Sequence, residues 1–218
     1  MSKMPYKIIK QLSDTLLSFL LLILFSPLFL LISFLIWLED RNKIYVKEPL
    51  RIGLYGKEFR MYKFRTMIPD AHREILENPK YANLKEKWEE NGNKLKIDED
   101  VRITKVGRIL RKTDLDELPQ LINVLMGQMA IIGPRPMYKD ELERHLKSNP
   151  KDEKYLKDIF SVKPGITGLW QVSGRNEIPF NKRLEMDAGY ARKQNFFLDI
   201  KILLKTPYVV LTRKGAYE

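Results

Sequence analysis

The 218-residue chain contains no cysteine and only two histidines, and its 28 acidic residues are outnumbered by 39 lysines and arginines, for a formal charge of +11. Without cysteine there is no disulfide framework, no thiolate nucleophile and no cysteine-based zinc site, so any covalent catalysis falls to oxygen or nitrogen. That agrees with a cytosolic location. The histidines, His72 and His145, stand in charged, helix-prone stretches and read as solvated residues rather than ligands. The shortage of acids points to an anionic partner, whether nucleic acid, anionic lipid or a phosphorylated small molecule, because net charge governs association rather than fold. There are no internal repeats, and the length suits one domain of ordinary size with an appendage.

What the chain does have is a 23-residue stretch without charge, residues 16–38, "LLSFLLLILFSPLFLLISFLIWL". As a helix this is long enough for about 30 Å of hydrocarbon, and it is too long and wrongly flanked for a cleaved signal peptide. Lys3, Lys7 and Lys10 precede it and Arg41, Lys43 and Lys47 follow it, so cations on both flanks give no orientation. Ser26-Pro27 interrupts the run. Proline removes a backbone donor and clashes with the preceding turn, and a serine hydroxyl can re-satisfy the freed carbonyl. The break leaves apolar halves of 10 and 11 residues, each fitted to one leaflet, so a re-entrant helical hairpin and a kinked transmembrane helix both remain open.

Beyond this anchor, residues 43–67 alternate apolar and charged positions around Gly53 and Gly56, the pattern of short strands or a hairpin. Residues 68–92 are charged and helix-prone, a solvated excursion with no assigned role. In "RITKVGRILRKTDLDELPQLINVLMG", Leu118, Ile122 and Leu125 share a helical face, with Gly127 as the stop. A polar helix is expected over residues 138–148, and "KPGITGLWQVSGRN" reads as a shaped loop with short strands. The stretch from residue 195 onward mixes apolar residues with lysines in the manner of a helix lying on a membrane surface.

The adjacent acids Asp116 and Glu117 precede Pro119, which is tolerated in a first helical turn, so the helix is expected to start around residues 114–116. Its macrodipole would then keep Asp116 ionised and help hold a phosphate, while a mere cap is the plainer reading of "DLDE" alone. Cations surround the pair in sequence: Lys63 and Arg65 in "KFRTM", Arg111, Arg135 fixed between prolines in "GPRP", and Arg175 in "SGRN". Guanidinium groups grip phosphate bidentately. Carboxylates among cations would repel a nucleic-acid backbone and suit a metal-bridged diphosphate better, since magnesium takes one or two carboxylates together with substrate phosphates. Glycosidase chemistry fits less well, because neighbouring acids at a helix start point in different directions.

These motifs, in order along nearly the whole chain, resemble the monotopic phosphoglycosyl transferases, a family of bacterial sugar transferases: Ser26-Pro27, "KFRTM", residues 102–127, "GPRP", "KPGITGLWQVSGRN" and the later Asp187, Tyr190 and Asp199. The resemblance implies an α+β protein in which residues 1–44 form a re-entrant membrane hairpin, broken at Ser26 and Pro27. Residues 45–218 would form a small, mainly helical cytosolic catalytic domain with short strands and amphipathic surface helices. It implies transfer of sugar 1-phosphate from a UDP-sugar to undecaprenyl phosphate at the bacterial cytoplasmic membrane, with Mg2+ at Asp116 and Glu117. Asp116 would be the nucleophile and Glu117 its helper, with Lys63, Arg65, Arg111, Arg135 and, as a further addition, Arg175 holding phosphates. Membrane lipids would be partners and nucleic acid would not; a homodimer stays open, as does the identity of the sugar. Asp114 stands where the family usually has serine, and would either cap the helix or raise the pKa of Asp116. A minimal catalytic form is expected, without the large periplasm-crossing region of some relatives. The competing reading is a membrane-anchored binding or scaffold protein for anionic lipid or nucleic acid, with the acids as caps.

Overall fold

The apolar run folds as two helices, α1 (Lys3–Leu24) and α2 (Ser26–Asp40), bent by 60° at Phe25 in this computed structural model, which describes residues 3–47, 50–90, 95–213 and 215. Pro27 has no N–H to give the carbonyl four residues back, Ile23, and the Ser26 hydroxyl donates to that same oxygen at 2.8 Å. The bend therefore falls at the expected place, as an open elbow. Among the described residues no single helix is long and apolar enough to cross a membrane, whereas Tyr6–Leu24 and Ser26–Asp40 meet the requirement together. Of the sequence features above, Asn91, Gly92, Lys214 and 216–218 lie outside the described residues, as do the side chains of Lys3 and Lys47.

One face of the elbow is spent on the rest of the protein. Ile32 and Ile36 of α2 are buried with Phe64 and Leu110, flanked by Leu28, Phe29, Val106 and Leu118. Leu17, Leu21 and Leu22 of α1 pack against a second cluster containing Leu121, Val124, Met129 and Ile131. Packing thus runs across the boundary at residue 44. The other face carries exposed apolar side chains, among them Leu12 at 66%, Leu24 at 67% and Leu30 at 73%.

Among the described residues seven short strands follow: β1 (Tyr45–Lys47), β2 (Arg51–Ile52), β3 (Glu58–Phe59), β4 (Tyr62–Phe64), β5 (Ala130–Ile132), β6 (Met137–Tyr138) and β7 (Gly165–Thr167). β1 pairs antiparallel with β4, β3-β2-β6 form an antiparallel three-stranded sheet, and β5 pairs parallel with β7. The remaining helices are α3 (Ala71–Glu77), α4 (Ala82–Glu90), α5 (Lys105–Lys112), α6 (Gln120–Leu125), α7 (Lys139–Ser148), α8 (Leu156–Ile159), α9 (Phe180–Lys193) and α10 (Phe196–Thr212). The α+β reading holds, and α3, α4, α7 and α10 fall in the stretches expected to be helical.

Two expectations are corrected. α6 begins at Gln120 rather than near residues 114–116, and Leu121 and Val124 face the core, whereas Leu125 is 37% exposed. His145 is not solvated: it hydrogen-bonds Asp152 at 2.8 Å and packs on the Phe180 ring. The motif residues near the end of the chain tie α1 to this core. Asp199 of α10 accepts from the hydroxyls of Tyr6 and Tyr190, each at 2.7 Å, and from the ammonium of Lys10 at 2.9 Å.

Candidate active site

The acids occupy a 3-10 turn, Leu115–Glu117, between α5 and α6, and the turn is entered through Asp114 in the left-handed region at φ 56°. Asp114 caps no helix: no backbone N–H reaches its side chain, and its carboxylate instead accepts from Arg175 at 2.7 Å. α5 approaches the end of β4 closely. A Cβ on Gly107 would lie 2.1 Å from the Thr66 carbonyl oxygen, so only glycine admits this contact, and the Thr104 side chain caps the helix by accepting from Gly107 N–H. Arg111 leaves the last turn of α5 and donates to the Thr66 hydroxyl at 2.9 Å.

Lys63, on β4, lies 3.1 Å from Glu117 Oε1 and 3.5 Å from Asp116 Oδ2. Its strand is held by Asn123 of α6, fully buried, whose side chain accepts from Tyr62 N–H at 3.0 Å and donates to the Arg60 carbonyl at 2.8 Å. Arg135 also reaches Glu117, its two terminal nitrogens 3.0 and 3.4 Å from the carboxylate oxygens. The "GPRP" backbone carrying it is pinned carbonyl by carbonyl: Pro134 accepts from Gly165 N–H at 2.9 Å, Arg135 from Arg183 at 2.9 Å and Pro136 from Arg51 at 3.3 Å. Arg183 in turn stacks on Trp170, 4.7 Å from the ring centre, and pairs with the buried Asp187 at 3.6 Å.

The neighbours differ in charge state. Burial pushes the Asp116 carboxyl up to about 6, with Glu117 and Asp114 adding to the rise and Lys63 and Arg111 opposing it. The helix dipole expected to keep Asp116 ionised does not act on it as expected, because α6 starts beyond it at Gln120. Asp114 does raise Asp116, but as the smallest of these effects. Burial works against Glu117 ionising too, yet Arg135 and Lys63 outweigh it and hold the carboxyl well below the usual range. Glu117 in return holds the Arg135 guanidinium above its ordinary value.

Of the residues singled out in the sequence, Asp116, Glu117, Lys63 and Arg135 form one contact group. Arg111 flanks it through Thr66 and Arg175 through Asp114. Arg65 is turned elsewhere: it is buried, bonded to both carboxylate oxygens of Asp40 at the end of α2, to the Lys43 carbonyl and, at 3.1 Å, to the Met67 carbonyl. It ties the elbow to the domain. Asn123, Thr66 and Arg183 went unmarked in the sequence. The Asn123 amide inside an otherwise apolar helical stretch was the one available signal.

No cluster of three or more histidine or carboxylate side chains is arranged to hold a metal among the described residues. Both oxygens of Glu117 face cations, so that acid is a poor ligand as it stands. Asp116, whose closest cation is Lys63 at 3.5 Å, keeps oxygen lone pairs that a divalent ion could share if it took its other ligands from elsewhere.

Residues 5–213 match the family described as bacterial sugar transferase. The chain is 42% identical over 219 residues to an uncharacterized sugar transferase of Haemophilus influenzae, covering 100% of this chain and 44% of that protein. It is 41% identical over 220 residues to the undecaprenyl-phosphate galactose phosphotransferase of Salmonella typhimurium, covering 100% and 43%. A third relative, the exopolysaccharide production protein ExoY of Sinorhizobium fredii, is 39% identical over 208 residues, covering 95% and 88%. The chain thus spans less than half the length of the first two and most of the third. Its motifs, the match over nearly its whole length and these identities establish that the chain belongs to the bacterial sugar transferase family.

Proposed function

We propose that the protein transfers sugar 1-phosphate from a UDP-sugar to undecaprenyl phosphate in two steps, opening the membrane stage of a bacterial glycan such as an exopolysaccharide. The observation that carries this reading is the division of labour in the dyad: Glu117 is clamped between Lys63 and Arg135, and Asp116 is left buried beside it with a carboxyl near pKa 6. A buried carboxylate with few hydrogen bonds is a better nucleophile than a solvated one.

In the first step an Asp116 oxygen attacks the β-phosphorus, the bond from that phosphorus to the bridging oxygen breaks, and UMP leaves with the oxygen. The enzyme keeps the phosphosugar as an acyl phosphate on Asp116. In the second step a phosphate oxygen of undecaprenyl phosphate attacks the same phosphorus and returns the Asp116 carboxylate. Lys63, Arg111 and Arg135 neutralise the phosphate charge, with Arg175 at the rim, and Glu117 holds the two cations that touch it in place. Mg2+ is proposed at Asp116 together with the donor diphosphate, where it would offset the charge on the phosphate oxygens.

The names of the relatives in Salmonella typhimurium and Sinorhizobium fredii support the acceptor and the glycan class. The exposed apolar face of α1 and α2 supports a membrane-seated anchor, re-entrant through one leaflet, with the site on the cytosolic side. UMP release from a panel of UDP-sugars by the protein in nanodiscs tests the proposal: turnover should require undecaprenyl phosphate and stop in excess EDTA. Absence of UMP with every donor would leave a binding or scaffold protein.

A further inference from the structure

Arg175 stands in a strained loop held from two directions. Its backbone lies in the left-handed region at φ 49°, as does that of its ion-pair partner Asp114 at φ 56°, and non-glycine residues take up that conformation only where their surroundings impose it. Asp114 fixes the guanidinium. What fixes the backbone comes from far along the chain, in the turn after α10. There the Gly215 carbonyl accepts from the backbone N–H of Asn176 at 3.1 Å and from its side-chain amide at 3.2 Å. The contact is tight enough to exclude any side chain: a Cβ on Gly215 would lie 1.9 Å from the Gly174 carbonyl oxygen and 3.2 Å from Arg175 Cβ, and φ at Gly215 is +69°.

We infer that Gly215 is a positioning residue for substrate binding, bracing from behind the loop that aims Arg175 across the mouth of the site towards Asp114. The inference rests on the reading of Arg175 as a grip on the donor diphosphate. Asp114, which carries the charge that captures the guanidinium, and Gly215, which seats the backbone, then act on the two ends of Arg175. Any side chain at 215 must push the 174–176 backbone away, swinging Arg175 off its line without touching the acids, Lys63 or Arg135.

UDP supplies the diphosphate without chemistry, so its affinity for the full chain in nanodiscs, measured by calorimetry in magnesium buffer, reads the effect directly. Gly215→Ala and, independently, Asn176→Asp, which sets a carboxylate against the Gly215 carbonyl, should each weaken UDP binding roughly tenfold, as should Arg175→Ala. In the Arg175→Ala background neither should cause a further loss, because residues that act through one group are not additive. Equal losses with and without Arg175 would overturn the inference, as would unchanged affinity in both loop variants while Arg175→Ala weakens binding. If Arg175→Ala binds UDP like wild type, the reading beneath the inference fails, and the inference with it. Asn176 is exposed, so Asn176→Asp gives the answer even where Gly215→Ala does not fold.

Discussion

Asp116 and Glu117 are neighbours in sequence with opposite electrostatic fates, and the difference comes from which of them the cations reach. Glu117 takes Lys63 and Arg135 at 3.0 to 3.1 Å, whereas Asp116 meets Lys63 at 3.5 Å and its burial outweighs that cation. If Asp116 must be ionised to attack, kcat/KM should fall about tenfold per pH unit below an apparent pKa near 6, well above the ordinary carboxylate value of about 3.9. An acid limb near 4 would show that Asp116 is not the group that titrates. Arg135→Lys should lower kcat/KM by about tenfold or more, since a point charge cannot span both oxygens of Glu117. Sequence displayed this group because two adjacent acids stand amid basic motifs, but it could not separate Lys63 from Arg65. Two residues apart on one strand they would share a face; β4 ends at Phe64, and Asp40 captures Arg65.

At the scale of elements, the site is the meeting of β4, α5, the 3-10 turn and the "GPRP" arm, with Gly107 as the closest joint. Gly107→Ala should cost about 1 to 3 kcal/mol in chemical denaturation and reduce activity together with stability, because the α5 backbone that carries Arg111 must back away from Thr66. Unchanged stability would mean that the joint is looser than 2.1 Å implies. Periodicity and proline chemistry made α7, α10 and the Ser26-Pro27 break legible. The start of α6 was not, since Pro119 fits both a first helical turn and the 3-10 turn that precedes one. Asn123 decides in favour of the latter by tying α6 to β4, a contact between residues 61 positions apart.

Across the whole molecule, the apolar elbow of α1 and α2 and the rest of the chain share their packing. The length and apolarity of residues 16–38 were plain in the sequence, but the burial of Ile32 and Ile36 against Phe64 and Leu110 depends on long-range contacts that local patterns do not encode. The proposed re-entrant topology places both outer ends of the elbow in the cytosol. Because the native chain has no cysteine, single cysteines at Lys7 and Asn42 can be labelled with an impermeant reagent in spheroplasts. Both should stay protected until the membrane is opened; labelling of one alone would establish a spanning helix.

The covalent intermediate proposed on Asp116 can be read by mass spectrometry of protein mixed with a UDP-sugar and magnesium before any undecaprenyl phosphate is added. UMP should appear in an amount no greater than the enzyme present, and the peptide containing Asp116 should gain the mass of one phosphosugar, with both signals absent in Asp116→Asn. An adduct that persists in Asp116→Asn would show that Asp116 is not the nucleophile, and UMP that appears only after the lipid acceptor is added would assign the reaction to direct attack by undecaprenyl phosphate.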